Sequence, residues 1–153
     1  HIRSLGVKLK LSSTKSILKN KSVILIDDSL VRGTTCNKIV KMLYKAGAKE
    51  VHVKIACPEI KYPDFYGVDM PTKKELLSSN KNTNEICKFL GAASCNFLSI
   101  DGLYKALIKE KRNNNYPQFS DHYFTGDYPI KALDELGSEK ITQLSLLSNK
   151  SSS

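Results

Sequence analysis

Four apolar residues in a row, Val23-Ile24-Leu25-Ile26, open the patterned part of the chain. Such a run suits a strand buried on both faces of a parallel sheet and predicts a central position. A polar loop, Asp27 to Gly33, follows it. Cys36, Ile39, Val40 and Leu43 then recur at i, i+3, i+4 and i+7, the spacing of one helical face. Thr34 or Thr35 can cap this helix, and Gly47 suits a left-handed stop. Val51, Val53 and Ile55 alternate with His52 and Lys54, so a second strand is predicted, ended by Pro58. Strand, loop, helix and strand in this order make a βαβ unit, which needs a right-handed crossover and a parallel sheet. The fold class expected is α/β, a three-layer parallel sheet with flanking helices.

Beyond it, Thr72 and Glu75 form a capping-box pattern that starts a short helix to about Ser79. Asn82 or Thr83 opens another helix, stopped at Gly91. Phe97 to Ser99 is read as a short strand. Ile100, Leu103, Tyr104, Leu107 and Ile108 repeat at helical spacing. The organisation expected is a lead-in loop over residues 1–20, an α/β domain over 21–110, a C-terminal extension over 111–137 and a disordered tail over 138–153. The first residue is His1, so the numbering is expected to begin inside a longer protein.

Composition narrows the picture. With 153 residues and 41% hydrophobic content, one domain with a sizeable core is feasible. No apolar run approaches the roughly 18 residues of a membrane span. The formal net charge is +9. Its lysines are scattered and no aromatic residues interleave with them, so neither a nucleic-acid nor a membrane partner is expected. A phosphate-rich small molecule would also suit the positive field. Cys36, Cys57, Cys87 and Cys95 form no C-x-x-C pair and have no His at ligand spacing, which disfavours zinc and favours free thiols. His52, on an alternating strand, is expected to face solvent.

The strongest chemical signal is VILIDDSLVRGTT, residues 23–35. A strand ends at two adjacent carboxylates, and a tight glycine-bearing loop with two hydroxyls leads into a helix N-terminus. Gly33 lets backbone N–H groups approach an anion, and the helix dipole favours a phosphate there. Carboxylates beside an anion site make sense if the ligand also presents hydroxyls or a metal, as a ribose 5-phosphate unit with Mg²⁺ does. Neither G-K-[ST] nor G-x-G-x-x-G is present.

These residues closely resemble the phosphoribosyl-pyrophosphate (PRPP) motif of type I phosphoribosyltransferases. The form D-D-S-L-V-R-G-T-T is similar to that of the amidophosphoribosyltransferases in particular. Arg3, Val7, Lys8, Leu9 and Lys10 resemble the family's segment before the motif, with one register offset among the basic residues. Residues 47–76, Gly91-Ala92, residues 98–103 and residues 124–129 extend the resemblance over about 3–130, the last third of a full enzyme.

The resemblance implies a share in forming 5-phosphoribosylamine from PRPP and glutamine-derived ammonia, the first committed step of purine biosynthesis. It implies that Asp27 and Asp28 hold the ribose hydroxyls and Mg²⁺. It implies that Ser29, Leu30, Val31, Arg32, Gly33, Thr34 and Thr35 cradle the 5-phosphate. A glutaminase domain upstream, purine nucleotides as ligands, a homo-oligomer and a cytoplasmic setting are implied too. Some relatives bind a [4Fe–4S] cluster through cysteines at positions resembling Asp64, Ser120 and Tyr123; none is cysteine here, so no cluster is expected. The chain alone is expected to be catalytically inactive. A non-catalytic fragment and a nucleobase-using transferase are the competing readings.

Overall fold

A computed structural model describes residues 15–68 and 72–129. Strands β1 (Ser22–Asp27), β2 (Glu50–Ile55) and β3 (Ser94–Phe97) form a parallel sheet in the order β1-β2-β3. Helix α1 (Lys15–Leu18) precedes β1, and α2 (Thr34–Lys45) crosses from β1 to β2. A 3₁₀ turn (Lys73–Glu75), α3 (Leu77–Asn80) and α4 (Thr83–Leu90) lead to β3, followed by α5 (Ile100–Ile108) and α6 (His122–Thr125).

The βαβ unit and the parallel pairing are as the periodicity predicts, with Leu25 beside Val53 and Asp27 beside Ile55. Val51, Val53 and Ile55 are at most 3% exposed and pack with Cys36, Val40 and Leu43 of α2, Ile86 and Leu90 of α4, and Cys95. Val23 and Leu25 join this core. Burying these side chains supplies about 1.5–3 kcal/mol each.

Two expectations about the sheet need correction. β1 lies at the edge and β2 in the centre. Ile24 and Ile26 are 61% and 71% exposed, on the face that also carries Lys54 and Asn96. Among the described residues the packing of α2 and α4 against one face makes two layers, not three. The apolar run therefore reflects strand propensity as much as two-sided burial.

Local signals fare better where the cap is in the sequence. Asn82 accepts from the Glu85 N–H at 3.0 Å while the Glu85 carboxylate accepts from the Asn82 N–H at 2.8 Å, a complete capping box. Gly91 ends α4 at φ +71°. Thr72 and Glu75 also close a capping box, but Leu76 is extended and splits the expected helix into the 3₁₀ turn and α3. The third strand falls at Ser94–Phe97, three residues earlier than expected, with Ser99 instead capping α5 by accepting from the Gly102 N–H. The lead-in read as loop contains the α1 turn. Residues 130–153, with the tail expected to be disordered, lie outside the described residues, as do residues 1–14.

The stretch from Arg112 to Tyr128 folds back onto the chain after β2. Arg112 donates to Asp121 at 2.6 Å and to Asp127 at 2.6 Å, and Tyr104 donates to Asp121 at 2.8 Å. The Arg112 and Asp121 side chains are 8% and 5% exposed, so this is a buried pair.

Candidate anion site at the end of the first strand

β1 delivers Asp27 to its carboxyl end, where the Ala56 N–H donates to the Asp27 carbonyl at 2.9 Å and ties the strand end to β2. The chain then turns through Ser29 to Arg32 into α2. The turn is possible because Gly33 adopts φ +70°, a left-handed conformation that favours glycine. Gly33, not Thr34 or Thr35, is the N-cap, and it makes no side-chain cap bond. Both threonines lie in the first turn of a twelve-residue helix and are exposed. The unused first-turn N–H groups and the helix dipole make this an anion-favouring end.

Asp27, Ser29, Leu30, Val31, Arg32, Gly33, Thr34, Thr35 and Cys36 line a cavity of about 250 Å³. Eight of the nine residues proposed from sequence are thus brought together. Asp28 stands beside this wall, exposed to solvent, and accepts from the Ser29 hydroxyl at 3.2 Å. One Asp27 oxygen accepts from the Asp28 N–H at 3.1 Å. Leu30 is 2% exposed and anchors the loop in the core. Burial, with Asp27 nearby, pushes the Cys36 thiol up to about 11, which makes it a packing residue more than a nucleophile.

Two adjacent carboxylates at an open cavity suit Mg²⁺, a hard cation that is commonly bound by one or two carboxylates with substrate and water oxygens. Among the described residues no group of three or more His, Cys, Asp or Glu gathers into a dedicated cage.

The four cysteines are free thiols, Cys36 and Cys95 buried. His52 is half-buried, with Nδ1 2.8 Å from the Ser94 hydroxyl. His122, to which the sequence assigned no role, is 1% exposed. Its Nε2 lies 2.6 Å from Asp64 Oδ1, its Nδ1 3.1 Å from Ser120 Oγ, and its ring 4.1 Å from that of Tyr123. Asp64, Ser120 and Tyr123 therefore converge on His122. A histidine set among aromatic residues was the one available signal.

A parallel βαβ unit with an acidic strand end, a left-handed glycine and a hydroxyl-bearing helix start makes an α/β segment with an anion-favouring site at the carboxyl end of its strand. No family model matches the chain. Curated relatives do, and all three below are amidophosphoribosyltransferases. That of Rhizobium etli is 50% identical over 149 residues, 97% of this chain and 30% of the relative. That of Methanocaldococcus jannaschii is 57% identical over 105 residues, 69% and 22%. The chloroplastic Arabidopsis thaliana protein is 49% identical over 130 residues, 85% and 22%. Among solved structures, the glutamine PRPP amidotransferase of B. subtilis complexed with ADP and GMP superposes with a TM-score of 0.69 at 43% identity, over 76% of this chain and 26% of that one. The chain is thus similar throughout to one segment of amidophosphoribosyltransferases, spanning 22–30% of the length of these curated relatives.

Proposed function

We propose that this chain supplies the PRPP-binding segment of an amidophosphoribosyltransferase, which forms 5-phosphoribosylamine from PRPP and glutamine-derived ammonia. The observation that carries the reading is the cavity in which Asp27, Ser29 and residues 30–36 meet at the start of α2. In it, first-turn amides with the Ser29, Thr34 and Thr35 hydroxyls hold the 5-phosphate. Asp27 and Asp28 accept hydrogen bonds from the ribose hydroxyls. As positive charge develops on the ribose when pyrophosphate leaves C1, the two carboxylates stabilise it electrostatically. Asp27 and Asp28 would also hold Mg²⁺, which when bound neutralises pyrophosphate charge.

The same reading takes PRPP and purine nucleotides as small-molecule ligands, with a glutaminase domain elsewhere in the full protein. It takes the full protein as a cytoplasmic homo-oligomer without nucleic-acid or membrane partners. The free thiols support a reducing compartment. No helix among the described residues is long and apolar enough to cross a membrane. An oxygen and imidazole environment around Asp64, Ser120 and His122 supports a protein without an iron–sulfur cluster.

Calorimetric titration of this chain with PRPP tests the proposal. Weak binding that falls on chelation of Mg²⁺, and is lost in Asp27→Asn/Asp28→Asn, is expected. Affinity unchanged in that double variant would overturn it.

A further inference from the structure

The cation in the cradle is not free. Arg32 Nε and Nη2 both donate to Glu75 Oε1, at 3.2 and 3.0 Å, from a turn 43 residues further along. The other Glu75 oxygen accepts from the Thr72 N–H at 3.2 Å and the Thr72 hydroxyl at 3.1 Å. The acid is thus fixed from both sides. Hydrogen bonds from Arg32 first, then from Thr72, hold its carboxyl below the usual range.

The loop is fastened independently of this pair. The Leu77 N–H donates to the Val31 carbonyl at 2.9 Å. Leu30 is buried, and Gly33 packs against Leu77 and Phe89. Removing either charge therefore alters the field at the cavity while leaving the loop's supports in place.

We infer that Arg32 is not a phosphate ligand but one half of a cancelled charge pair, and that Glu75 sets the anion affinity of the cradle by keeping it cancelled. The inference rests on the reading of residues 27–36 as a ribose-phosphate cradle. A guanidinium offers a fork of donors matched to phosphate, and here its Nε and Nη2 donors are directed at a carboxylate that cancels its charge. The cavity then binds its anion through amides and hydroxyls. Freed, Arg32 would stand at the rim as an uncompensated cation. With Arg32 gone, Glu75 would stand there as an uncompensated anion.

The test titrates ribose 5-phosphate into four forms of this chain at low and high salt: the parent, Arg32→Gln, Glu75→Gln and the double variant. Exposed charges of this kind change affinity by a factor of about two to five. Glu75→Gln is expected to bind at least about threefold tighter, the gain disappearing at high salt. Arg32→Gln is expected to bind at least about threefold more weakly, and the double variant within about twofold of the parent. Melting temperatures should agree within about 2 °C, separating charge from folding. A double variant as weak as Arg32→Gln would make Arg32 a direct ligand and overturn the inference. So would a Glu75→Gln chain that binds no tighter than the parent. A parent chain that does not bind ribose 5-phosphate at all removes the cradle itself, and the inference with it.

Discussion

Replacing Gly33 with alanine would put a methyl group where the fold leaves room for none. The residue sits at φ +70°, and a Cβ built there lies 2.7 Å from Leu77 Cδ2 and 3.1 Å from Phe89 Cε1. Left-handed backbone costs a non-glycine residue about 1–2 kcal/mol. Forcing buried Leu77 and its neighbour aside costs about 1–3 kcal/mol more. The expected loss is about 2–5 kcal/mol, read as a fall in the urea midpoint at unchanged slope. Separating the two causes takes a second variant. Leu77→Ala removes the obstructing atom, so Gly33→Ala in that background should cost about 1–2 kcal/mol, the backbone part alone. A Gly33→Ala chain within about 0.5 kcal/mol of the parent would refute the conformational argument. An equal loss in both backgrounds would refute the packing argument.

Burial pushes the Asp121 carboxyl up, but hydrogen bonds from Arg112 and Tyr104 more than offset it and hold it below the ordinary range. Asp64 follows the same logic, with burial overcome by the Val68 N–H, His122 and the Tyr66 N–H. A depressed carboxyl contributes stability that is complete above its unfolded value, near about 3.9, and lost as pH falls through the folded one. Stability should therefore drop below about pH 4, and less steeply in Asp121→Asn, as followed by urea denaturation. Arg112→Met leaves Asp121 buried without its partner and should cost about 3 kcal/mol. Asn82→Ala removes one half of a capping box and should cost about 1 kcal/mol in the same assay. Burial pushes the Cys36 and Cys95 thiols up to about 11, so neither should react with an aromatic disulfide reagent near pH 8 until the chain is unfolded.

The sequence carried the βαβ unit because its signals are local: an alternating strand, a helical stripe and glycines at helix ends. It misjudged β1 because four consecutive apolar residues look alike whether one face or two are covered, and only the structure shows Ile24 and Ile26 exposed. It misjudged the third strand because Ser94-Cys95-Asn96-Phe97 has only two apolar residues, and its pairing with His52 to Ile55 is what makes it a strand. The site's residues were legible as one contiguous motif. Their constraints were not, since Arg32–Glu75 and Asp64–His122 join residues 43 and 58 apart, beyond any periodicity. Thr34 and Thr35 looked like caps because side chains usually fill that role, whereas here a left-handed glycine does so.

The most direct test of the central claim is heteronuclear NMR of this chain as PRPP is added with Mg²⁺. The claim predicts that backbone amides of residues 27–36 shift first and farthest, and that the perturbation extends to Glu75 and Leu77, which hold the loop from behind. Amides that stay still across 27–36 while others move, or a spectrum that does not change at all, would contradict it.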